Sequence, residues 1–206
     1  MNIEQFEASI VSEIDSGLEF KQNMYPEATS CFTFLVEDSG EPRVLKVRRK
    51  THNMWDDKYF YYEIHALRRV EERNLSGVTR LLKIYDDDRY QAILKSYIEG
   101  TPGNRMGPSE LLNDSGFVAK LDVLYMNLHL AGIAKVDFEP RKVVLADDGE
   151  ITLIDLSTCV VNTEAGMLQF SQAMREDSRF ITKLERNISN LSRPKSQFWN
   201  RLLNRA

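Results

Sequence analysis

Apolar residues recur at helical spacing from the start of the chain. Ile3, Phe6, Ile10 and Ile14 fall on one face, and Asp15-Ser16-Gly17 breaks the run, so a helix is predicted over roughly the first 16 residues. The pattern then changes to that of strands. Leu18 to Gln22, Cys31 to Glu37 and Arg43 to Val47 read as strands, with Asp38-Ser39-Gly40 as the turn between the second and third. A long helix follows from about Trp55 to Arg73, with Tyr59, Tyr62, Ala66, Leu67 and Val70 as its apolar stripe. Val78 to Asp86 and Tyr90 to Ile98 read as two more strands, joined by the acidic turn Asp86-Asp87-Asp88.

Glu99-Gly100-Thr101-Pro102-Gly103 is the clearest break in the chain. Beyond it, helices are predicted near Ser109 and from about Gly116 to Leu130. The second carries Phe117, Leu121, Leu124, Leu128 and Ala131 on one face. Val143 to Leu145 and Ile151 to Ile154 flank Asp147-Asp148-Gly149, a hairpin signal. The stretch from about Thr163 to Asn190 reads as helix, with Leu168, Ala173 and Phe180 toward a core. Pro194 and the Phe198-Trp199 pair predict a short docked segment. The order of elements predicts an α+β fold in a minimal bilobal form. An antiparallel sheet lobe with one long helix spans residues 1–99, and a reduced helical lobe spans residues 100–206.

Composition narrows the function classes. The 206 residues are 42% hydrophobic and 28% charged, as in a soluble globular chain, and the formal net charge is −4. No overall pull toward nucleic acid or an anionic membrane is expected. The basic run Lys46-Val47-Arg48-Arg49-Lys50 reads as a solvated strand end. Cys31 and Cys159 have neither metal-ligand spacing nor a close partner, and are expected to be small buried thiols. No apolar run approaches the ~18 residues of a membrane span. Met1-Asn2-Ile3-Glu4-Gln5 lacks a basic, then apolar, signal pattern, so neither Sec-type export nor a membrane anchor is expected. A monomer is expected.

Three polar residues stand where the pattern calls for apolar ones. Lys46 alternates with Val44 on one face of a strand, Glu63 lies inside the stripe of the long helix, and Asp155 closes the apolar strand Ile151 to Ile154. A buried charge is costly unless it is paired or bound to a metal. Lys46 and Glu63 are therefore candidates to pair with each other, and Asp155 to hold a cation. A fourth, Asp137, lies in the polar loop that follows the break at Gly132. The following hairpin is expected to bring Asp155 into the same cleft. His129 reads as a core or capping residue, His52 and His65 as surface residues, and Trp55 and Trp199 as packing anchors.

This arrangement resembles the protein-kinase superfamily. Val44-Leu45-Lys46 is similar to the strand-lysine motif, and Glu63 to its helix partner. Asp137 is similar to the catalytic-loop aspartate, and Asp155 to the metal-binding aspartate. The resemblance implies ATP and Mg²⁺ as cofactors. Lys46, held by Glu63, would grip the phosphates. Asp155 would ligate Mg²⁺, and Asp137 would accept the proton of the acceptor hydroxyl. Ser96-Tyr97-Ile98 would be the hinge whose backbone meets adenine, with Ser96 and Ile98 as binding residues. The chain also resembles the minimal bacterial effector kinases delivered by type III secretion into eukaryotic cells. That likeness implies serine/threonine phosphorylation and inactivation of the host ninety-kilodalton heat-shock chaperone in the host cytoplasm.

The chain departs from the wider pattern at several points. No glycine lies between Leu18 and Ser39, so the glycine-rich loop is missing and 23–30 is expected to cover the phosphates. Lys135-Val136 precede Asp137 where histidine and arginine are usual. Without that arginine a phosphorylated loop has no docking partner, and constitutive activity is expected. Lys142 replaces the metal-binding asparagine, and an ammonium cannot ligate a cation. Lys142 or Arg141 is therefore expected to neutralise phosphate charge instead. The metal triplet reads Asp155-Leu156-Ser157. Two other functions remain open: a small-molecule or glycolipid kinase on the same fold, and a pseudokinase serving as a binding module.

Overall fold

Asn2 starts the first helix with a capping box. Its side chain accepts from the Gln5 amide at 2.8 Å, and the Gln5 side chain accepts from the Asn2 amide at 3.1 Å. The computed structural model describes residues 2–26, 31–50, 54–106, 116–134, 142–162 and 166–189. Helix α1 (Ile3–Ile14) leads into β1 (Leu18–Asn23), β2 (Phe32–Asp38) and β3 (Glu41–Arg49). Helix α2 (Met54–Glu72), β4 (Leu81–Asp86) and β5 (Tyr90–Ser96) follow. The five strands form one antiparallel sheet in the order β1-β2-β3-β5-β4. Ser39 and Gly40 turn β2 into β3 with φ of 54° and 85°, the paired positive values that a tight hairpin needs.

The rest of the described chain is helix and short strand. β6 (Thr101–Pro102), β8 (Val143–Leu145) and β9 (Ile151–Leu153) form a second sheet in the order β6-β8-β9. Helix α3 (Phe117–Leu130) precedes β7 (Ile133–Ala134), which pairs with β10 (Val160–Val161), and α4 (Met167–Ser189) follows. The fold is α+β, as the pattern predicts. No described helix is long and apolar enough to cross a membrane.

Strand alternation gives the larger sheet two unlike faces. Leu45 and Val47 of β3 and Ala92 and Leu94 of β5 point to one face, where Ile10 and Val11 of α1 bury them with Phe34 and Val36. Asp15 ties the end of α1 to β4. Its carboxylate accepts from Lys83 at 2.8 Å and from the Tyr85 hydroxyl at 2.7 Å. On the other face, Ile93 meets Phe60, Ile64, Leu67 and Val70 of α2. That core runs on without interruption into α3 through Phe117, Leu121, Leu124 and Leu128, and into α4 through Ile181 and Leu184.

Two backbone features place β9 against the larger sheet. Val78 pairs in parallel with Leu153, with Thr79 N–H to Leu153 O and Leu153 N–H to Gly77 O both at 2.9 Å. β4 therefore begins at Leu81 rather than at Val78, because the backbone of 77–79 bonds to β9 instead of to β5. Gly100 then lets the chain pass β8 closely. A Cβ there would lie 2.3 Å from the Leu145 carbonyl oxygen.

Four sequence readings change. Ile3 and Phe6 are exposed, and the buried face of α1 is Glu7, Ile10 and Val11. Tyr59 is half exposed and Phe60 fills its place in the α2 core, while Tyr62, Ala66, Leu67 and Val70 face inward as predicted. Leu168 stands in solvent in the first turn of α4, ahead of the stretch that packs. The basic run is not a solvated end: Lys46 and Arg48 turn inward, with Arg48 5.8 Å from the centre of the Phe60 ring. The helix expected near Ser109, the side chain of Trp55, His52, Pro194 and Phe198-Trp199 lie outside the described residues.

Candidate functional site

The inward face of β3 and β5 forms the back of a cleft of about 500 Å³. Val44, Lys46 and Lys95 line it from the sheet, Tyr97, Ile98 and Gly100 from the segment leaving β5, Lys142 from just before β8, and Ile154 and Asp155 from just after β9. Sheet register explains why the lysines face each other. Lys46 lies opposite Ile93 and Val44 opposite Lys95, so the two lysines are diagonal neighbours on one face.

Glu63 is the anchor of the charge network. It is fully buried, and each of its oxygens takes one lysine: Lys46 Nζ at 2.5 Å on Oε2 and Lys95 Nζ at 2.7 Å on Oε1. Lys46 also reaches Asp155 Oδ1 at 3.4 Å. Burial alone would push the Lys46 ammonium down, but the Glu63 and Asp155 carboxylates outweigh it and hold it well above its ordinary value. Burial would likewise raise Asp155. The Lys46, Lys95 and Lys142 ammoniums and the Ser157 amide overcome that and hold it well below the usual carboxylate range. Both groups are therefore charged at neutral pH.

Among the described residues, the cleft sets three lysines (Lys46, Lys95 and Lys142) against two carboxylates, Glu63 and Asp155. The excess positive charge in a partly dry site suits an anionic ligand. Asp155 also fits a hard cation. Its Oδ1 accepts from the Ser157 amide at 2.8 Å and from Lys46, while no described residue bonds to Oδ2. A Mg²⁺ ion needs only one or two protein carboxylates when phosphates complete its shell. The described residues hold no group of three or more metal-ligating side chains, so Asp155 would act with the ligand's own oxygens.

Ser96 is used by the fold. Its N–H donates to Arg80 O at 3.0 Å, its carbonyl accepts from the Thr79 hydroxyl at 2.9 Å, and its Oγ accepts from the Arg80 amide at 2.9 Å. The backbones of Tyr97 and Ile98 make no hydrogen bond to the described residues, which leaves those groups to meet a ligand. The structure thus brings Lys46, Glu63, Ser96, Ile98, Lys142 and Asp155 to one place. Asp137 lies outside the described residues. His129 is remote from the cleft lining and meets Asp177 of α4 at 2.8 Å.

Sequence reasoning missed Lys95, although its signal is the one that marks Lys46. It is a lysine at an inward position of a strand, in phase with Ile93. It also missed Cys31, which lines the cleft half-buried, its thiol pushed up by burial. Cys159 is buried as expected. No family model matches the chain, and no curated protein is detectably similar to it.

Proposed function

We propose that the chain is an ATP-dependent phosphotransferase of the protein-kinase type, with Mg²⁺ as its cofactor, acting on serine or threonine hydroxyls. The observation that carries this reading is the Lys46–Glu63 pair set beside Asp155 at the back of the cleft. A strand lysine paired to a helix glutamate, next to a metal-binding aspartate, is the arrangement that protein kinases need for transfer.

Each residue has a distinct task in that reaction. Tyr97 and Ile98 offer backbone groups to the base. Lys46 donates to the phosphates and Glu63 holds its ammonium in place. Lys142, buried at the cleft wall, adds positive charge where the missing metal ligand would stand. Asp155 would hold Mg²⁺, which would supply neutralisation of phosphate charge. As the bond from the acceptor oxygen to the γ-phosphorus forms and the bond to the β-phosphate oxygen breaks, the hydroxyl proton passes to a base. Asp137 takes that role from the family resemblance alone. The resemblance also supplies the proposed biological setting: a bacterial effector whose protein substrate is the host ninety-kilodalton heat-shock chaperone.

The test is transfer from γ-labelled ATP with Mg²⁺, in buffer and in a eukaryotic lysate, beside Asp155→Ala. One labelled band near ninety kilodaltons, lost in the variant, is the expected result. Label confined to small molecules or glycolipid would replace the protein-kinase reading. Stabilisation by ATP without any transfer would leave a binding module.

A further inference from the structure

We infer that Lys95 is a positioning residue that keeps the Lys46–Glu63–Asp155 arrangement permanently assembled, so that the site needs no phosphorylation or partner to form. The inference rests on the phosphotransferase reading above and concerns the regulation of that same site.

Lys95 is 4% exposed, and its ammonium joins three elements that are distant in the chain. It leaves β5, donates to Glu63 Oε1 on α2 at 2.7 Å, and donates to the Ile154 carbonyl at 2.9 Å, one residue before Asp155. A lysine has three donors and no acceptor, so two of its three are spent on fixing neighbours. The backbone of the Asp155 segment is thereby tied to the helix that carries Glu63.

The second lysine changes what Lys46 is free to do. Glu63 has no exposed surface, so both of its oxygens need a donor. With Lys46 alone, a phosphate competing for that ammonium would leave Glu63 underbonded and free α2 to shift. With Lys95 holding Oε1, Lys46 can turn one of its donors to a phosphate while Glu63 stays put. In regulated kinases, control acts by moving the glutamate-bearing helix and so making or breaking the lysine–glutamate pair. Here that helix is held by lysines from two adjacent strands. The missing arginine before Asp137 fits the same picture, since an always-assembled site has no use for a docked loop phosphate.

The experiment compares the full chain with Lys95→Met and Lys95→Arg. It follows kcat and KM for ATP, together with amide hydrogen exchange along α2. The expected result for Lys95→Met is a kcat at least about tenfold lower with KM changed far less, and faster exchange around Glu63. Lys95→Arg restores both toward wild type, and phosphatase-treated wild type keeps full activity. Unchanged kcat and exchange in a folded Lys95→Met would overturn the inference, as would loss of wild-type activity on phosphatase treatment. If Lys95→Met does not fold, Lys95→Gln, which keeps a neutral donor, decides by the same two readouts. A wild type that neither transfers phosphate nor is stabilised by ATP sinks the phosphotransferase reading. The exchange data then still decide whether Lys95 holds α2.

Discussion

The two faces of the five-stranded sheet are built from the same strands and share almost nothing else. Toward α1, Leu45, Val47, Ala92 and Leu94 pack on Ile10 and Val11, and the one buried carboxylate described on that side of α1, Glu7, is bonded by the Asn23 side chain rather than by a charged group. Toward α2, one residue further along each strand, stand Lys46 and Lys95, tied to a buried glutamate. The difference separates a face that serves stability from a face that carries the candidate site. Odd and even positions of β3 and β5 answer to different requirements, and a one-residue slip in register would exchange them. The apolar face gains from every group buried. The charged face must satisfy every polar atom and still leave donors for a ligand.

Substitutions can break this division, beginning with the largest effect. Asp155→Ala should lower transfer by about 10³-fold, the scale of charge stabilisation that a bound cation supplies, while thermal unfolding moves little. Parallel losses of stability and activity would mean that the charged face is structural. Leu45→Ala, on the opposite face, should destabilise by about 2–5 kcal/mol through the cavity it leaves, with KM for ATP unchanged in the folded fraction. Urea unfolding and steady-state kinetics on the same sample check both halves. A rise in KM would mean that the faces are coupled through the strand.

The smallest effect sharpens the picture of the α1 side. The Lys83 ammonium, the Gly17 amide and the Tyr85 hydroxyl lower the Asp15 carboxyl to about 2. Its folded value lies below the unfolded value of about 3.9, so its contribution is present above pH ~4 and is lost as pH falls through about 2. Solvent screening keeps it to roughly 0.2–1 kcal/mol. Asp15→Asn should therefore shift the urea midpoint slightly at pH 7, and the gap should close near pH 2. A gap that persists in acid would assign the effect to packing.

Much of this architecture is legible in the sequence, because its strands alternate and its turns carry Gly, Asp and Ser. The hairpin at Ser39-Gly40 and the pair β8–β9 follow from local residues alone. Lys46, Glu63 and Asp155 were readable because each interrupts an apolar pattern, and they do meet in one cleft. The phase of α2 was harder. Tyr59 and Phe60 both lie within one turn of Glu63, and only packing against Ile93 decides that the phenylalanine turns inward. Lys95 escaped notice because its meaning depends on Glu63, 32 residues away, and on a backbone carbonyl 59 residues away. Periodicity within β5 marks Lys95 as an inward lysine but cannot name its partners.

The distance between the cleft's ends along the chain has a consequence for biosynthesis. Lys46 and Asp155 touch across a separation of 109 residues. The hairpins of the larger sheet close over short loops, whereas this contact must wait for a long one. Pulsed amide labelling during refolding should find β2 and β3 protected before the amides of 153–155. At about 5–20 residues per second, synthesis separates the two groups by roughly 5–20 s for those 109 residues. During that interval a growing chain carries the lysine but not the carboxylate that faces it across the cleft. The proposed site is therefore incomplete on the growing chain until the strand before Asp155 docks on 77–79.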